Sequence, residues 1–378
     1  MTLSHGTTAQ GGLESVTVTG RVSSLTGIRA VAALLVVLTH AAYTTGRYGQ
    51  GYVGLMYSRL EIGVPIFFVL SGYLLFGPWV SACAAGAAPP SVKRYAWHRV
   101  RRIMPAYVVT VVAAYLLYHF RTAGPNPGHT WEGLARNLTL TQIYTDDYLY
   151  SFLHQGLTQM WSLAVEAAFY VALPVLAYLL LVVLCRRRWR PWLLLTGLLV
   201  SAAITPAWLT LVHSTDWLPD GARLWLPGYL AWFVGGMVLA VLAQMRVRAY
   251  ALACLPVVLA CFLIVSTPIG GEPTTSPALL WEALAKSGFY MVIATLVVAP
   301  LALGGQDGRY ARLMATRPMV FLGEISYEIF LIHLVTMELV MVEVLHFPIY
   351  TGSVWLLFAA TLVVTVPLAW LLHRVTRV

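Results

Sequence analysis

The sequence predicts an all-α protein: a polytopic membrane helix bundle of about ten transmembrane helices, with the N- and C-termini both cytoplasmic. Three observations carry this. The composition is 59% hydrophobic with only 10% charged residues, too little charge to cover a soluble protein of 378 residues. The apolar residues gather into runs of about 20, the length that spans a bilayer as a helix. The cationic residues fall between those runs, and they do so unevenly.

Taken in order, the runs cover 27–45, 60–80, 103–120, 161–184, 191–212, 225–243, 250–267, 282–304, 319–343 and 353–373. Each is continuous and lacks the period-two alternation of a barrel strand. Mean hydropathy is +0.75, so the apolar excess belongs to the whole chain and not to one anchor. Residues 1–20 are polar, without the apolar core of a signal peptide, and read as a disordered cytoplasmic tail. Residues 21–378 then form one membrane domain, and the first run itself directs insertion. Cys83, Cys185, Cys254 and Cys261 lie in or beside apolar runs with no metal-ligand spacing, so free thiols and no metal are expected.

The formal net charge is +9. Basic balance can signal nucleic acid, but these charges read as topology markers. With the N-terminus inside, inner segments hold Arg21; Lys93, Arg94, Arg99, Arg101 and Arg102; Arg186, Arg187, Arg188 and Arg190; Arg246 and Arg248; Arg309, Arg312 and Arg317; and Arg374 and Arg377. Outer loops hold only Arg47, Arg59, Arg121, Arg136 and Arg223. Lysine occurs only at Lys93 and Lys286, a compositional hint of a high-GC genome. The longest connection, 121–160, is outer and rich in Gly, Pro, Asn, Thr and Tyr. It reads either as a cover for an acceptor site or as a tether.

Ionisable residues inside a membrane are costly and need a reason. The first run holds Arg29 and His40, eleven residues apart. They share a helical face about 16 Å apart along the axis. Arg29 serves as a snorkelling anchor or as an anion contact; His40 is a packed core histidine or a base. The run at 161–184 opens with Trp161 and Ser162, and Glu166 then lies about 7 Å below Trp161, at a depth similar to that of His40. A carboxylate there suits the task of orienting an imidazole. Lys93 to Pro105 is a basic segment in which Arg99 and Arg102, three residues apart, share a face. Positive-inside clustering explains it, and so does bidentate binding of phosphates such as those of coenzyme A. The run at 319–343 carries Glu324, Ser326, Tyr327, Glu328 and His333, either structural or lining a cavity. No phosphate loop, dinucleotide fingerprint, GxSxG elbow or zinc signature occurs.

Five motifs in order resemble the acyltransferase-3 family of integral membrane O-acyltransferases, in its single-module form. They are Arg29 with His40; Ile66-Phe67-Phe68-Val69-Leu70-Ser71-Gly72-Tyr73; Arg99 to Arg102 with Pro105; Trp161-Ser162-Leu163 with Glu166, Phe169, Tyr170 and Pro174; and Leu322-Gly323-Glu324-Ile325-Ser326-Tyr327 with His333. The resemblance spans residue 21 to about 375. Three features depart from the family pattern. Val64-Pro65 stands where many relatives carry an acid, Ala167 follows Glu166 where a second acid is frequent, and no hydrolase-like domain follows the membrane core.

The resemblance implies acyl transfer from cytoplasmic acyl-CoA, acetyl-CoA being the expected donor, at the inner (plasma) membrane. His40 is the implied base, with Glu166 supporting it; Arg99 and Arg102, with Arg94, hold the donor phosphates, and Arg29 guides the pantetheine arm. Trp161, Ser162, Tyr170, Tyr327 and His333 are implied as substrate or structural support. The expected acceptor is a hydroxyl of a cell-envelope glycan or glycolipid, with a trehalose mycolate lipid as a specific candidate. A macrolide-type natural product is the alternative acceptor, and a transporter is the rival class. A lone membrane module completes transfer itself or hands its product to an envelope-assembly protein.

Overall fold

The structure is a computed structural model that describes residues 22–121, 124–274 and 277–377. The tail expected at 1–20 lies outside these residues. Among the described residues all regular structure is helical. Eight helices are long and apolar enough to cross a membrane, and a bent pair makes a ninth.

The chain runs through α1 (Ser23–Thr44), α2 (Gly51–Arg59), a 3-10 turn (Leu60–Ile62), α3 (Gly63–Ala84), α4 (Val92–Phe120), α5 (Trp131–Leu138), α6 (Trp161–Ala177), α7 (Pro191–Ala202), α8 (Ile204–Ser214) and α9 (Leu230–Gln244). It continues through α10 (Ala251–Val265), α11 (Leu280–Leu303), α12 (Arg309–Met314), α13 (Arg317–Glu324), α14 (Ser326–Leu339) and α15 (Val354–Thr376). Each of the ten expected runs has a helical counterpart. Two of them differ from a plain span. The run at 250–267 yields the 15-residue α10, about 22 Å long and short of the ~30 Å hydrocarbon core. The run at 319–343 breaks at Ile325, where α13 and α14 meet at 71°. There Ser326 turns its hydroxyl back onto the Gly323 carbonyl at 2.9 Å.

α1 and the span that ends in α9 form the centre. The apolar windows of these two are 67% and 72% buried, whereas that of α15 is 28% buried and faces outward. α3 and α9 approach backbone to backbone. A Cβ on Gly72 would sit 2.0 Å from the Phe233 carbonyl oxygen, and one on Gly236 would sit 1.9 Å from that of Val69. Small residues give transmembrane helices this closeness, because packing drives their association in lipid. Phe68, Phe233 and Phe169 then stack in series, at 4.3 and 4.0 Å between rings, and bind α6 to the pair.

α4 begins eleven residues before the run at 103–120. Ser91 caps it by accepting from the Arg94 amide, so the basic segment is the first three turns of a long helix and not a loop. The connection after α4 is folded against the bundle. Tyr107 and Tyr115 donate to the carbonyls of Asn137 and Gly128, both at 2.7 Å. Asn126 accepts from the Gln155 amide at 3.0 Å. A buried charged cluster staples the start of α3 to α10 and α11. Lys286 pairs with Glu61 at 2.5 Å, Tyr290 donates to Glu61 at 2.9 Å, and fully buried Arg59 donates to the carbonyls of Val265 and Gly271. The four cysteines are free.

Candidate active site

The polar residues singled out in the sequence collect at two places joined by α14. The first is the basic segment of α4. Arg94, Arg101 and Arg102 are exposed. Arg99 turns inward, its Nε buried without a hydrogen-bond partner. It comes within electrostatic reach of Tyr170, Arg102, Tyr95 and Glu166. Tyr95 donates to the Tyr170 carbonyl at 3.2 Å, which fixes the foot of α4 against α6. Glu166 is saturated on one oxygen: Tyr170 donates to Oε1 at 2.6 Å, and Ser71 of α3 donates to the same atom.

The second place is the far end of α1. His40 Nδ1 lies 2.8 Å from the Val36 carbonyl and 3.2 Å from His333 Nε2. The two imidazoles are tilted, with centroids 5.0 Å apart. His333 is fully buried, and its Nδ1 lies 2.8 Å from the Phe330 carbonyl.

α14 connects the two. Tyr327 lies within electrostatic reach of Tyr170 and Glu166, and it donates to the Ile103 carbonyl of α4 at 3.0 Å. Six residues on, about 9 Å along a helix, His333 meets His40. The 71° break before Ser326 aims this helix between α1 and α4. Gln159, just before α6, donates to the Leu331 carbonyl at 2.8 Å and holds it there. Ser162 donates to the Gln159 carbonyl at 3.1 Å. Trp161 packs on Tyr229 at 5.1 Å.

One expected juxtaposition is absent among the described residues. Glu166 is expected at the depth of His40 and suited to orienting it, but its hydrogen bonds go to Ser71 and Tyr170, and the neighbour of His40 is His333. Gln159 already sits at the level of Leu331 on α14, so Glu166, seven residues on, lies at the Tyr327 end of α14 and toward α3, away from the His333 end. Arg29 lies part-buried on α1. Glu328 pairs with His373 of α15 at 2.8 Å, a structural tie.

Three residues escaped the sequence reading. Ser71 stood inside a recognised motif without a role. Glu61 and Lys286 stood inside two apolar runs with opposite charges, which is itself the signal of a buried pair. Glu61 is also the carboxylate whose field reaches His40. Among the described residues no group of three or more His, Cys, Asp or Glu is disposed to hold a metal.

With this geometry in hand, comparison with known proteins is decisive at the level of family. The family model described as an acyltransferase domain (acyltransferase-3) matches residues 22–374. The chain belongs to the acyltransferase-3 family. This acyltransferase is 26% identical over 332 residues to acyltransferase MdmB of Streptomyces mycarofaciens, covering 83% of the chain and 78% of that protein. It is 27% identical over 199 residues to the peptidoglycan O-acetyltransferase OatA of Listeria monocytogenes, covering 51% of the chain and 29% of OatA. Against O-acetyltransferase OatA of Staphylococcus aureus it is 22% identical over 342 residues, covering 82% and 49%. The chain thus spans about half or less of the two OatA proteins. No solved structure matches it. It is a multi-pass membrane acyltransferase, transferring groups other than aminoacyl groups.

Proposed function

We propose that the protein moves an acetyl group from cytoplasmic acetyl-CoA to a hydroxyl of a cell-envelope glycan or glycolipid at the plasma membrane. The observation that carries this reading is the pairing of an arginine end with a histidine end along one helix, α14. Arg99 and Arg102 near Tyr170 suit the phosphates of a long, thin donor. Arg94 extends the basic surface, and Arg29 lies on α1 eleven residues from His40, along the course of the pantetheine arm. His40 suits the removal of the acceptor proton as a general base. Glu166 belongs with the donor end in this reading. It holds Ser71 and Tyr170 in place and balances the charge of Arg99.

The acetyl group and the envelope acceptor draw support from the names of the two OatA relatives. A trehalose mycolate is the narrowest candidate within that acceptor class, and an envelope-assembly protein is the expected recipient where the acceptor is presented elsewhere. Purified protein in detergent separates enzyme from transporter. Acetyl-CoA cleavage and acyl transfer without vesicles are expected, and a protein that leaves the thioester intact under every acceptor tried would count against the reading. A lipid and glycan profile of a deletion strain, compared with the wild type, identifies the acceptor as the species that loses acetyl.

A further inference from the structure

The four ring nitrogens of His40 and His333 have one consistent proton assignment. His333 Nδ1 faces the Phe330 carbonyl at 2.8 Å, and a carbonyl only accepts, so that nitrogen carries hydrogen. In the neutral ring Nε2 is then bare. His40 Nδ1 faces the Val36 carbonyl at 2.8 Å and this bare His333 Nε2 at 3.2 Å. Both neighbours are acceptors, so His40 Nδ1 carries hydrogen and shares it between them, as three-centre bonds do. The opposite assignment joins the rings through His333 Nε2–H but sets a lone pair against a lone pair at both carbonyl contacts, inside a bundle where unpaired polar groups are costly. The remaining lone pair of His40 is therefore on Nε2, which has no hydrogen bond among the described residues.

We infer that His333 is the positioning residue of the catalytic base: its neutral imidazole takes the place that a carboxylate holds in a hydrolase triad. It fixes the tautomer of His40 and accepts from Nδ1 while His40 is charged. This inference rests on the acyl-transfer reading above and adds a role for a second histidine. In the forward step the acceptor O–H proton passes to His40 Nε2 as the oxygen attacks the thioester carbonyl. The C–S bond then breaks, and the leaving sulfur takes the proton back from Nε2, restoring the starting tautomer. The Nδ1 hydrogen stays in place throughout.

A neutral partner suits this site. His333 is fully buried, and a carboxylate there would cost more to bury than an imidazole. The charged groups around the pair are held by others. Glu61, from the turn before α3, is bound by Lys286 and Tyr290 of α11. On α14, Glu328 is paired with His373 of α15, and Glu338 accepts from Tyr118 of α4. Arg29 is on α1 itself, and Glu324 ends α13. Thr336, one turn beyond His333, bonds to Thr365 at 2.6 Å and ties this part of α14 to α15.

Three variants test the role. His333→Gln keeps an acceptor at nearly the same reach, His333→Asn is shorter by one methylene, and His333→Met fills the space without a strong acceptor. Acetyl-CoA turnover by the detergent-purified proteins should stay within a few-fold for Gln and fall by roughly 10² for Asn and Met, in the range of general-base assistance. The acid limb of the pH–rate profile should move to lower pH in the Met variant, because the cationic form of His40 has lost its acceptor. Carbethoxylation of His40 by diethyl pyrocarbonate, read by peptide mass spectrometry across pH 5–8, should shift in the same direction, whether or not turnover is seen. A shifted His40 profile with no turnover even in the wild type would leave the pair standing and defeat the acyl-transfer reading. Equal turnover and an unmoved His40 profile in a monodisperse Met or Asn variant would overturn the inference, as would a Gln variant as impaired as Asn.

Discussion

Arg99 differs from its basic neighbours in direction. Arg94 and Arg102 are exposed, while the Arg99 guanidinium has a buried nitrogen without a partner and faces Tyr170 and Glu166. An unsatisfied buried donor is ready for a ligand oxygen. Arg99→Ala should therefore raise the acetyl-CoA concentration needed for half-maximal turnover by about tenfold or more, the value of one or two charge-assisted hydrogen bonds. Arg94→Ala should change it less than about threefold. Equal effects from both, measured by turnover against acetyl-CoA concentration, would reduce the cluster to a topology signal. Glu166 offers a second test at this scale. Because it bonds Ser71 and Tyr170 rather than His40, the losses in His40→Ala and Glu166→Gln should combine nearly multiplicatively. A double variant no worse than His40→Ala alone would instead place the two in one functional unit, as equal depth along the axis had suggested.

At the scale of elements, the connection between α4 and α6 behaves as a folded cover. His154 is buried, Tyr115 stacks on it at 4.4 Å, and its Nε2 lies 3.3 Å from His129 Nδ1. Burial, with a smaller contribution from His129, pushes the His154 imidazole down from 6.5 to about 3. The sign follows from linkage: the folded connection binds fewer protons than the unfolded chain, so its stability is intact above about pH 6.5 and falls as pH drops toward 3. At pH 5 the loss is on the order of 2 kcal/mol. His129 adds like charge as it protonates; the nearby Arg121 is paired with Glu343, and Glu338 is held by Tyr118. Protection against hydrogen exchange at 126–130 and 153–157, measured relative to the intrinsic amide rate at each pH, should fall between pH 7.5 and pH 5 in the wild type. It should fall much less in His154→Gln, which has no proton to gain; the same loss of protection in both would rule out His154 as the cause.

For the whole molecule, the arginine bias assigns the two ends. With the basic segments inside, α4 starts in the cytoplasm, and the folded 121–160 connection lies on the outer face with the His40 end of α1. The proposed transfer needs that orientation, since a cytoplasmic acyl-CoA donor would lie inside and an envelope acceptor outside. A single cysteine placed in 121–160, in a background without the four native cysteines, should react with an impermeant maleimide on intact cells. One placed at 186–190 should react only after permeabilisation. The reverse pattern would invert the orientation and separate the proposed donor site from its cytoplasmic donor.

The sequence alone determined the all-helical membrane class, the place of nearly every span and the two ends of the site, because bilayer thickness and the cost of buried charge act on each segment separately. Arg29, His40, Arg99, Glu166 and His333 were all legible in this way, each as an ionisable group in or beside an apolar run. Which of them meet was not. Counting residues gives spacing along one helix, but the level at which a helix starts and its rotation about its own axis follow from its neighbours. Only the packing of α1 against α14, and of α6 against α3 and α4, paired His40 with His333 and Glu166 with Ser71 and Tyr170. The break at Ile325 was equally hidden, since an apolar run reads the same whether straight or bent, and that bend carries α14 from the arginine end to His40. The fold class comes from forces that each segment feels separately, and the pairing of His40 with His333 comes from contacts that exist only once the helices are packed.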